Sequence, residues 1–413
     1  MSTTGSLTAR GSVIEIPDEP DWARMRAEIG ARLRMVMAEH GVDALILLMN
    51  GHVGYATGAS WPLLDAGLSH AERPVAVVLT DDEHPHLFMP FRGGAFTQAP
   101  VPDDHLHGPV YLEFDTGVNE FARILVELIP PGATLAVDEL TGAMRRSAAT
   151  LFGSDAPLDA TIAVGSAQLV KTRDELSCLR RACRITEQAM AEVQQALAPG
   201  VRQIDLSAKL VRRAFELGAT TNMLEAIWQV MPRSRETGVW TTHGDLALPL
   251  LPTERELVAG DVLWTDISIS YHGYCSDFGR TWLVGEPPSA RQQDQFRHWK
   301  AILDATLAVT KAGATSGDLA RAAIAANGGQ KPWLPHFYLG HGIGTYPAES
   351  PMIGTDLGEE FDDNFVFPPG MVLVLEPVVW EDGTGGYRSE EIIVITGDGY
   401  TPITDYPYSP YGD

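Results

Sequence analysis

Apolar residues recur at four-residue steps through residues 21–40, at Met25, Ile29, Leu33 and Met37, which predicts an amphipathic helix stopped by Gly41. Continuous apolar runs follow at 44–49 (ALILLM) and 74–80 (PVAVVLT), the pattern of buried strands, and 86–90 can pair with the second across 81–85. Residues 119–128 and 141–152 predict helices, and 134–137 a strand. Strands alternating with helices imply an α/β domain. Its His and Asp residues are scattered, and no catalytic pattern stands out. From Lys171 the period lengthens into helices at 171–197 and 203–217, separated by Pro199 and Gly200. Helical patterns return at 289–311 and 318–327, followed by strands at 371–379 (MVLVLEPVV) and 390–396 (EEIIVIT). Helices on a mostly antiparallel sheet make the second half α+β. The change of character falls near 165–170 and predicts domains at 1–168 and 169–413.

Between these helices lies 261–285, DVLWTDISISYHGYCSDFGRTWLVG, two β-branched and aromatic runs joined across 271–273. Each run carries a carboxylate, Asp266 and Asp277. With the turn at Tyr271 and His272 the two lie directly opposite. With the turn at His272 and Gly273 they are diagonal neighbours on the same face. Like charges so close in an apolar hairpin require a cation between them.

Composition narrows the classes. A chain of 413 residues, 45% hydrophobic, is long for one core and ordinary for a soluble protein. The net charge of −24 argues against nucleic-acid or anionic-membrane partners, and no apolar run is long enough for a membrane span. Three cysteines, Cys178, Cys183 and Cys275, make no disulfide framework, and the first twenty residues have no signal-peptide core. A cytoplasmic protein with reduced thiols is expected.

Three more residues extend the pair of aspartates. His341 stands between glycines in LGHGIG, where glycine leaves room for close approach. Glu376 lies in the apolar run LVLEPVV, where an unpaired carboxylate is costly, and Glu390 opens EEIIVIT. Taken singly, each carboxylate is better explained by a salt bridge and His341 by a satisfied core. Taken together, two Asp, one His and two Glu suit a pair of divalent ions, Mn²⁺, Fe²⁺, Co²⁺ or Zn²⁺.

The segments GDVLWTDISISYHGYCSDFGRTW, GHGIG, PGMVLVLEP and YRSEEIIVIT resemble, in the same order, the pita-bread metallopeptidase family of methionine aminopeptidase, aminopeptidase P and prolidase, with creatinase as a metal-free relative. The resemblance covers about residues 170–400. The first half is more weakly similar to the creatinase-type N-terminal domain, through its first helix and HGVDALILLMNGHVGYATG. It implies a pita-bread catalytic domain after a creatinase-like domain, a homodimer, and five metal ligands at Asp266, Asp277, His341, Glu376 and Glu390. Glu390 is preferred to Glu391 because the family's ligand precedes the strand's final Thr, here Thr396, by six positions.

Two family histidines are missing. The one ahead of the hairpin would fall in LALPLL (246–251), with His243 the nearest candidate, and Ala348 stands where the second would follow His341. Losing carbonyl-polarising groups costs an acyl transfer roughly 10²–10⁴-fold unless something substitutes. The expected function is a dinuclear-metal hydrolase of a C–N amide bond in a small molecule or short peptide, with Glu376 or Glu349 moving the proton and His243 a further catalytic candidate. Arg388, Trp240 and Tyr346 are candidate substrate-binding residues; Arg388, read on one strand face with Glu390, could clamp a carboxylate. The alternatives are a C–S lyase resembling dimethylsulfoniopropionate lyase, acting by β-elimination, and a non-catalytic binding module.

Overall fold

The computed structural model describes residues 7–59, 73–89, 101–153, 157–222, 226–234, 252–334, 337–354 and 357–412. The chain forms two compact units, one of residues 19–168 with 172–174, the other of residues 169–171 and the chain from 175 on, with the described residues before 19. Among the described residues no helix is long and apolar enough to cross a membrane.

In the first unit the helix Trp22–Glu39 starts where the Asp21 side chain accepts from the Arg24 N–H, and it buries Met25, Ile29, Leu33, Val36 and Met37. Six strands form one sheet: β1 (Ala44–Leu47), β2 (Val75–Leu79), β3 (His86–Phe88), β4 (Leu106–His107), β5 (Leu135–Val137) and β6 (Leu158–Asp159). Their spatial order is β4-β3-β2-β1-β5-β6. The β1–β2 and β2–β3 pairs are antiparallel; β3–β4, β1–β5 and β5–β6 are parallel. The helix expected at 119–128 begins earlier and spans Asp115–Leu128, packing Val118, Phe121 and Leu125 against the sheet residues Phe88 and Val77. The single helix expected at 141–152 is two, Gly142–Arg146 and Ala148–Phe152, interrupted at Ser147. Asn50–Thr57 and Ala160–Gln168 are helices that the hydrophobic pattern did not disclose.

The second unit opens with helices Arg173–Gln195 and Gln203–Glu216. Its strands are β7 (Thr221–Asn222), β8 (Ile227–Val230), β9 (Val262–Asp266), β10 (Ile269–Tyr271), β11 (Tyr274–Cys275), β12 (Thr281–Leu283), β13 (Gly340–Gly342), β14 (Glu349–Ile353), β15 (Val372–Leu375), β16 (Val378–Glu381), β17 (Gly385–Arg388), β18 (Glu391–Ile395) and β19 (Tyr400–Pro402). They pair as β11-β10-β7, β12-β9-β8, β14-β13-β15-β18-β19 and β16-β17. Capping boxes begin two further helices, Ser289 with Gln292 for Ala290–Val309 and Thr315 with Asp318 for Ser316–Ala326. Two buried tryptophans keep their indole N–H bonded across elements: Trp228 donates to Ser207 Oγ (2.8 Å) and Trp299 to the Pro377 carbonyl (2.7 Å).

Glu187, on the helix Arg173–Gln195, accepts from the Asp405 N–H at 2.6 Å. Burial pushes its carboxyl up to about 7, although that hydrogen bond and the charge of Arg280 lower it. The folded chain therefore holds this proton more tightly than the unfolded one, and stability falls as pH rises from about 4.5 to about 7. For Glu187→Gln, the unfolding free energy from urea titration is expected to match wild type near the lower limit and to exceed it at pH 8 by up to about 3 kcal/mol. A gap that does not grow with pH would remove the buried acid as its cause.

Candidate metal centre

The hairpin takes the second of the two registers the sequence allowed. His272 and Gly273 form the turn with φ of 50° and 87°, the left-handed pair of a type I′ turn. Ser270 faces Cys275, Ile267 faces Phe278 and Trp264 faces Thr281, one unbroken register. Asp266 is thus level with Gly279 and diagonal to Asp277. A Cβ on Gly279 would lie 2.0 Å from the Thr265 carbonyl and 3.2 Å from Glu390 Oε1. Glycine here lets Glu390 close over the hairpin, and the Glu390 N–H donates to the Gly279 carbonyl at 3.1 Å. One oxygen each of Asp266, Asp277 and Glu390 lie within 4.8 Å of one another.

His341 sits at the centre of β13, between β14 and β15. The flanking glycines were expected to make room for a ligand; they make room for the neighbouring strands. A Cβ on Gly340 would meet the Val374 carbonyl, and one on Gly342 the Ser350 carbonyl, each at 2.3 Å. The ring is buried, with Nδ1 on the Gly342 carbonyl (2.8 Å) and Nε2 facing Asp277 Oδ2 (3.2 Å) and Glu376 Oε1 (3.3 Å). That backbone bond orients the ring and leaves Nε2 as the ligating atom. Tyr338, which no spacing in the sequence singled out, lies edge-on to the ring at 5.0 Å.

The expected strand 371–379 is two strands in different sheets. β15 ends at Leu375 and β16 begins at Val378, with Glu376 and Pro377 between them, because proline cannot continue a ladder. Glu376 is therefore at a strand end, its N–H on the Leu339 carbonyl (2.9 Å). Glu390 likewise precedes β18. Arg388 ends β17, so it does not share a strand face with Glu390 as expected. Its Nη2 is 3.1 Å from Asp266 Oδ2, 2.5 Å from Glu376 Oε2 and 2.5 Å from Glu390 Oε1. The guanidinium is thus the countercharge of three carboxylates here. Glu391 points elsewhere, to Arg280, Thr404 and Tyr408.

Of the remaining candidates, Glu349 is held by Lys171 Nζ (2.8 Å) and by the N–H groups of Thr345 (2.7 Å) and Tyr346 (3.2 Å). To act as a base it would have to leave that ion pair. Tyr346 is half-buried beside it, while Trp240 and His243 lie outside the described residues.

Four buried or half-buried carboxylates here face one guanidinium and one imidazole. Burial raises Glu390 well above the carboxylate range; Arg388 lowers it, and Asp266, Asp277 and Glu376 raise it further. Burial and Asp266 push Asp277 up to about 7 against His341. Burial would also raise Glu376, but Arg388 and His341 bring it below its ordinary value. Asp266 Oδ1 and Glu390 Oε2 are buried without a hydrogen-bond donor, and Glu390 Oε1 faces only the Arg388 guanidinium. Oxygens left bare in a negatively charged pocket beside one imidazole nitrogen fit divalent cations.

A fold of this kind, with carboxylates and one histidine converging on a hairpin, defines a metal-dependent hydrolase of the metallopeptidase class. Residues 177–397 match the family model of metallopeptidase family M24, and residues 31–164 that of the creatinase/prolidase N-terminal domain. The chain belongs to metallopeptidase family M24. It is 25% identical over 391 residues to the uncharacterized peptidase YqhT of Bacillus subtilis, covering 91% of this chain and 97% of that one. It is 30% identical over 257 residues to the probable dipeptidase PepE of Mycobacterium tuberculosis, covering 61% and 63%. In fold it is similar to the X-Pro aminopeptidase of Thermotoga maritima, with a TM-score of 0.71, 21% identity and coverage of 92% and 98%.

Proposed function

We propose that this chain is a dinuclear-metal hydrolase that cleaves a C–N amide bond in a small substrate. The observation that supports it is the set of bare, buried carboxylate oxygens of Asp266 and Glu390 converging with Asp277, inside a domain of family M24. Asp266, Asp277, His341, Glu376 and Glu390 would hold two ions, which when bound supply Lewis acidity toward the amide carbonyl and toward water. Glu376 faces His341 with one oxygen and Arg388 with the other, stays ionised through them, and is the carboxylate that accepts and returns the proton. Arg388 offsets part of the charge of Asp266, Glu376 and Glu390 and gathers them on one side of the site. Relatives named dipeptidase and X-Pro aminopeptidase favour a short peptide or related amide. Ala348, where family peptidases carry a histidine, favours a substrate other than an ordinary peptide. The setting we assign is a cytoplasmic homodimer with the domain boundary at 168 and 169, on the family resemblance and the three free cysteines.

The test is product analysis in ¹⁸O-water, with metal-loaded protein and a panel of dipeptides, small amides and sulfonium acids. Hydrolysis places solvent oxygen in a product carboxylate. An unsaturated acid without the label would establish elimination instead, and an inert metal-loaded protein would leave a binding role.

A further inference from the structure

The first unit holds a second cluster of metal-ligand type, built by pairing rather than by sequence proximity. β3 and β4 run parallel with Leu87 beside Leu106 and Phe88 beside His107. Extending that register one residue back sets His86 beside His105. The imidazoles of His86 and His105 stack at 4.5 Å, and one ligating atom each of Asp82, His86 and His105 lie within 4.8 Å of one another. Asp82 Oδ2 is 3.1 Å from His105 Nε2 and 3.5 Å from His86 Nε2. Ligands about 2.0–2.1 Å from a tetrahedral zinc ion are roughly 3.3 Å apart, so these separations already suit one ion.

The surrounding groups orient the same atoms. His105 Nδ1 lies 3.1 Å from Asp104 Oδ1, which fixes the tautomer and turns Nε2 toward Asp82. His86 Nδ1 is 3.0 Å from His107 Nε2, which does the same for the second ring when His107 carries its proton on Nδ1. Asp82 Oδ1 accepts from the His84 N–H at 3.0 Å and lies 3.2 Å from His105 Nε2, while Oδ2 lies between the two imidazoles. A carboxylate or other acceptor behind each ligating histidine is the usual support of a metal site. A plain ion pair explains Asp82 with one protonated histidine. Since two stacked rings cannot both be protonated cheaply, the metal-free cluster needs a neutral His86 whose Nε2–H points at Asp82 Oδ2 from 3.5 Å. Zinc titration separates that hydrogen-bonded arrangement from an ion held by the same atoms. The side chains of His86, His105 and Asp82 keep 9%, 15% and 29% of their exposure, so the cluster borders solvent.

We propose that Asp82, His86 and His105 form a divalent metal site in the first unit, separate from the M24 centre. Two imidazoles and a carboxylate select a borderline ion of the Zn²⁺, Co²⁺ or Ni²⁺ class, with a solvent ligand in the fourth position.

The experiment is equilibrium dialysis of the full chain against Zn²⁺, with bound metal counted by mass spectrometry and the histidine ring resonances followed by NMR. In Asp277→Ala, which disables the other centre, about one zinc ion per chain should remain, and the rings of two histidines should shift together. His105→Ala and His86→Ala in that background should each lose this ion. Asp104→Asn should keep it with roughly 10–100-fold weaker affinity. If a histidine variant does not fold, Asp82→Asn, nearly the same shape, gives the same reading. Equal zinc content with and without His86, His105 or the Asp82 charge in folded protein overturns the site, whatever the activity of the M24 centre.

Discussion

Asp277→Ala is expected to strip the M24 centre of its metal and to lower kcat/KM by at least about 10³-fold, since a metal's charge stabilisation amounts to several kcal/mol at 1.36 kcal/mol per tenfold. The reason lies in where the side chain stands. Asp277 shares a hairpin face with Asp266 and lies 3.2 Å from His341 Nε2, so it is the link between the carboxylates and the imidazole. Removing it leaves His341 with Glu376 alone and relieves part of the repulsion that calls for a cation. Fold stability need not fall, because in the absence of metal this carboxyl is raised by burial and by Asp266 and contributes little. Purified wild-type protein should carry about two transition-metal ions in the second unit and the variant none there, with a urea midpoint near that of metal-stripped wild type, since bound metal adds its own stabilisation. Metal content and turnover that both survive the substitution would sink the dinuclear reading.

Arg280→Ala is expected to destabilise the second unit by about 3–5 kcal/mol, the cost of breaking a buried ion pair by removing one partner. Arg280 and Glu391 each keep only 1% of their side-chain exposure. The guanidinium donates to Glu391 Oε1 (2.8 Å), to the carbonyls of Glu390 (2.6 Å), Gly279 (3.1 Å) and Tyr406 (2.8 Å), and more weakly to that of Pro407 (3.3 Å). Its face covers the Phe278 ring at 4.3 Å. Alanine would leave Glu391 charged and buried, with only Thr404 and Tyr408 donating to it. Lysine cannot reproduce the fork, so Arg280→Lys should recover only part of the loss. Adding Glu391→Gln to Arg280→Ala should restore stability, because the stranded charge is gone; a double variant no better than the single would show that the carbonyl contacts dominate. Since Arg280 also anchors the Glu390 backbone, metal affinity should weaken roughly 10–100-fold in the surviving folded protein.

Much of this candidate centre was legible because the residues proposed to hold its ions break apolar runs. Asp266 and Glu376 interrupt β-branched sequence and Asp277 stands beside Phe278 in an aromatic run, and a charge there has few explanations. Arg280 breaks such a run as well, between Gly279 and Thr281, and that intrusion was the available signal for the buried pair. Other elements were hidden for reasons visible in their composition. Asn50–Thr57 buries His52, Val53, Tyr55, Ala56 and Thr57, so it has no polar face and shows no helical period. β17 begins Gly385, Gly386, poor strand formers, yet a Cβ on Gly386 would lie 2.2 Å from the Val379 carbonyl. The histidines of the first unit looked scattered because HPHLF and HLH meet only through the parallel register of β3 and β4. Pairing between distant strands is a tertiary fact that periodicity does not carry.

The turn at His272 and Gly273 sets a rule for how this gene can vary in length. A one-residue slip in an antiparallel pair turns every side chain to the opposite face. Asp266 and Asp277 share a face only while the count between them keeps its parity. A single codon gained or lost in either arm would send one aspartate into the far layer, unless a bulge or a larger turn absorbed it. Homologous chains that retain the centre should therefore differ in this segment by none or by two residues, or carry their odd residue at the tip.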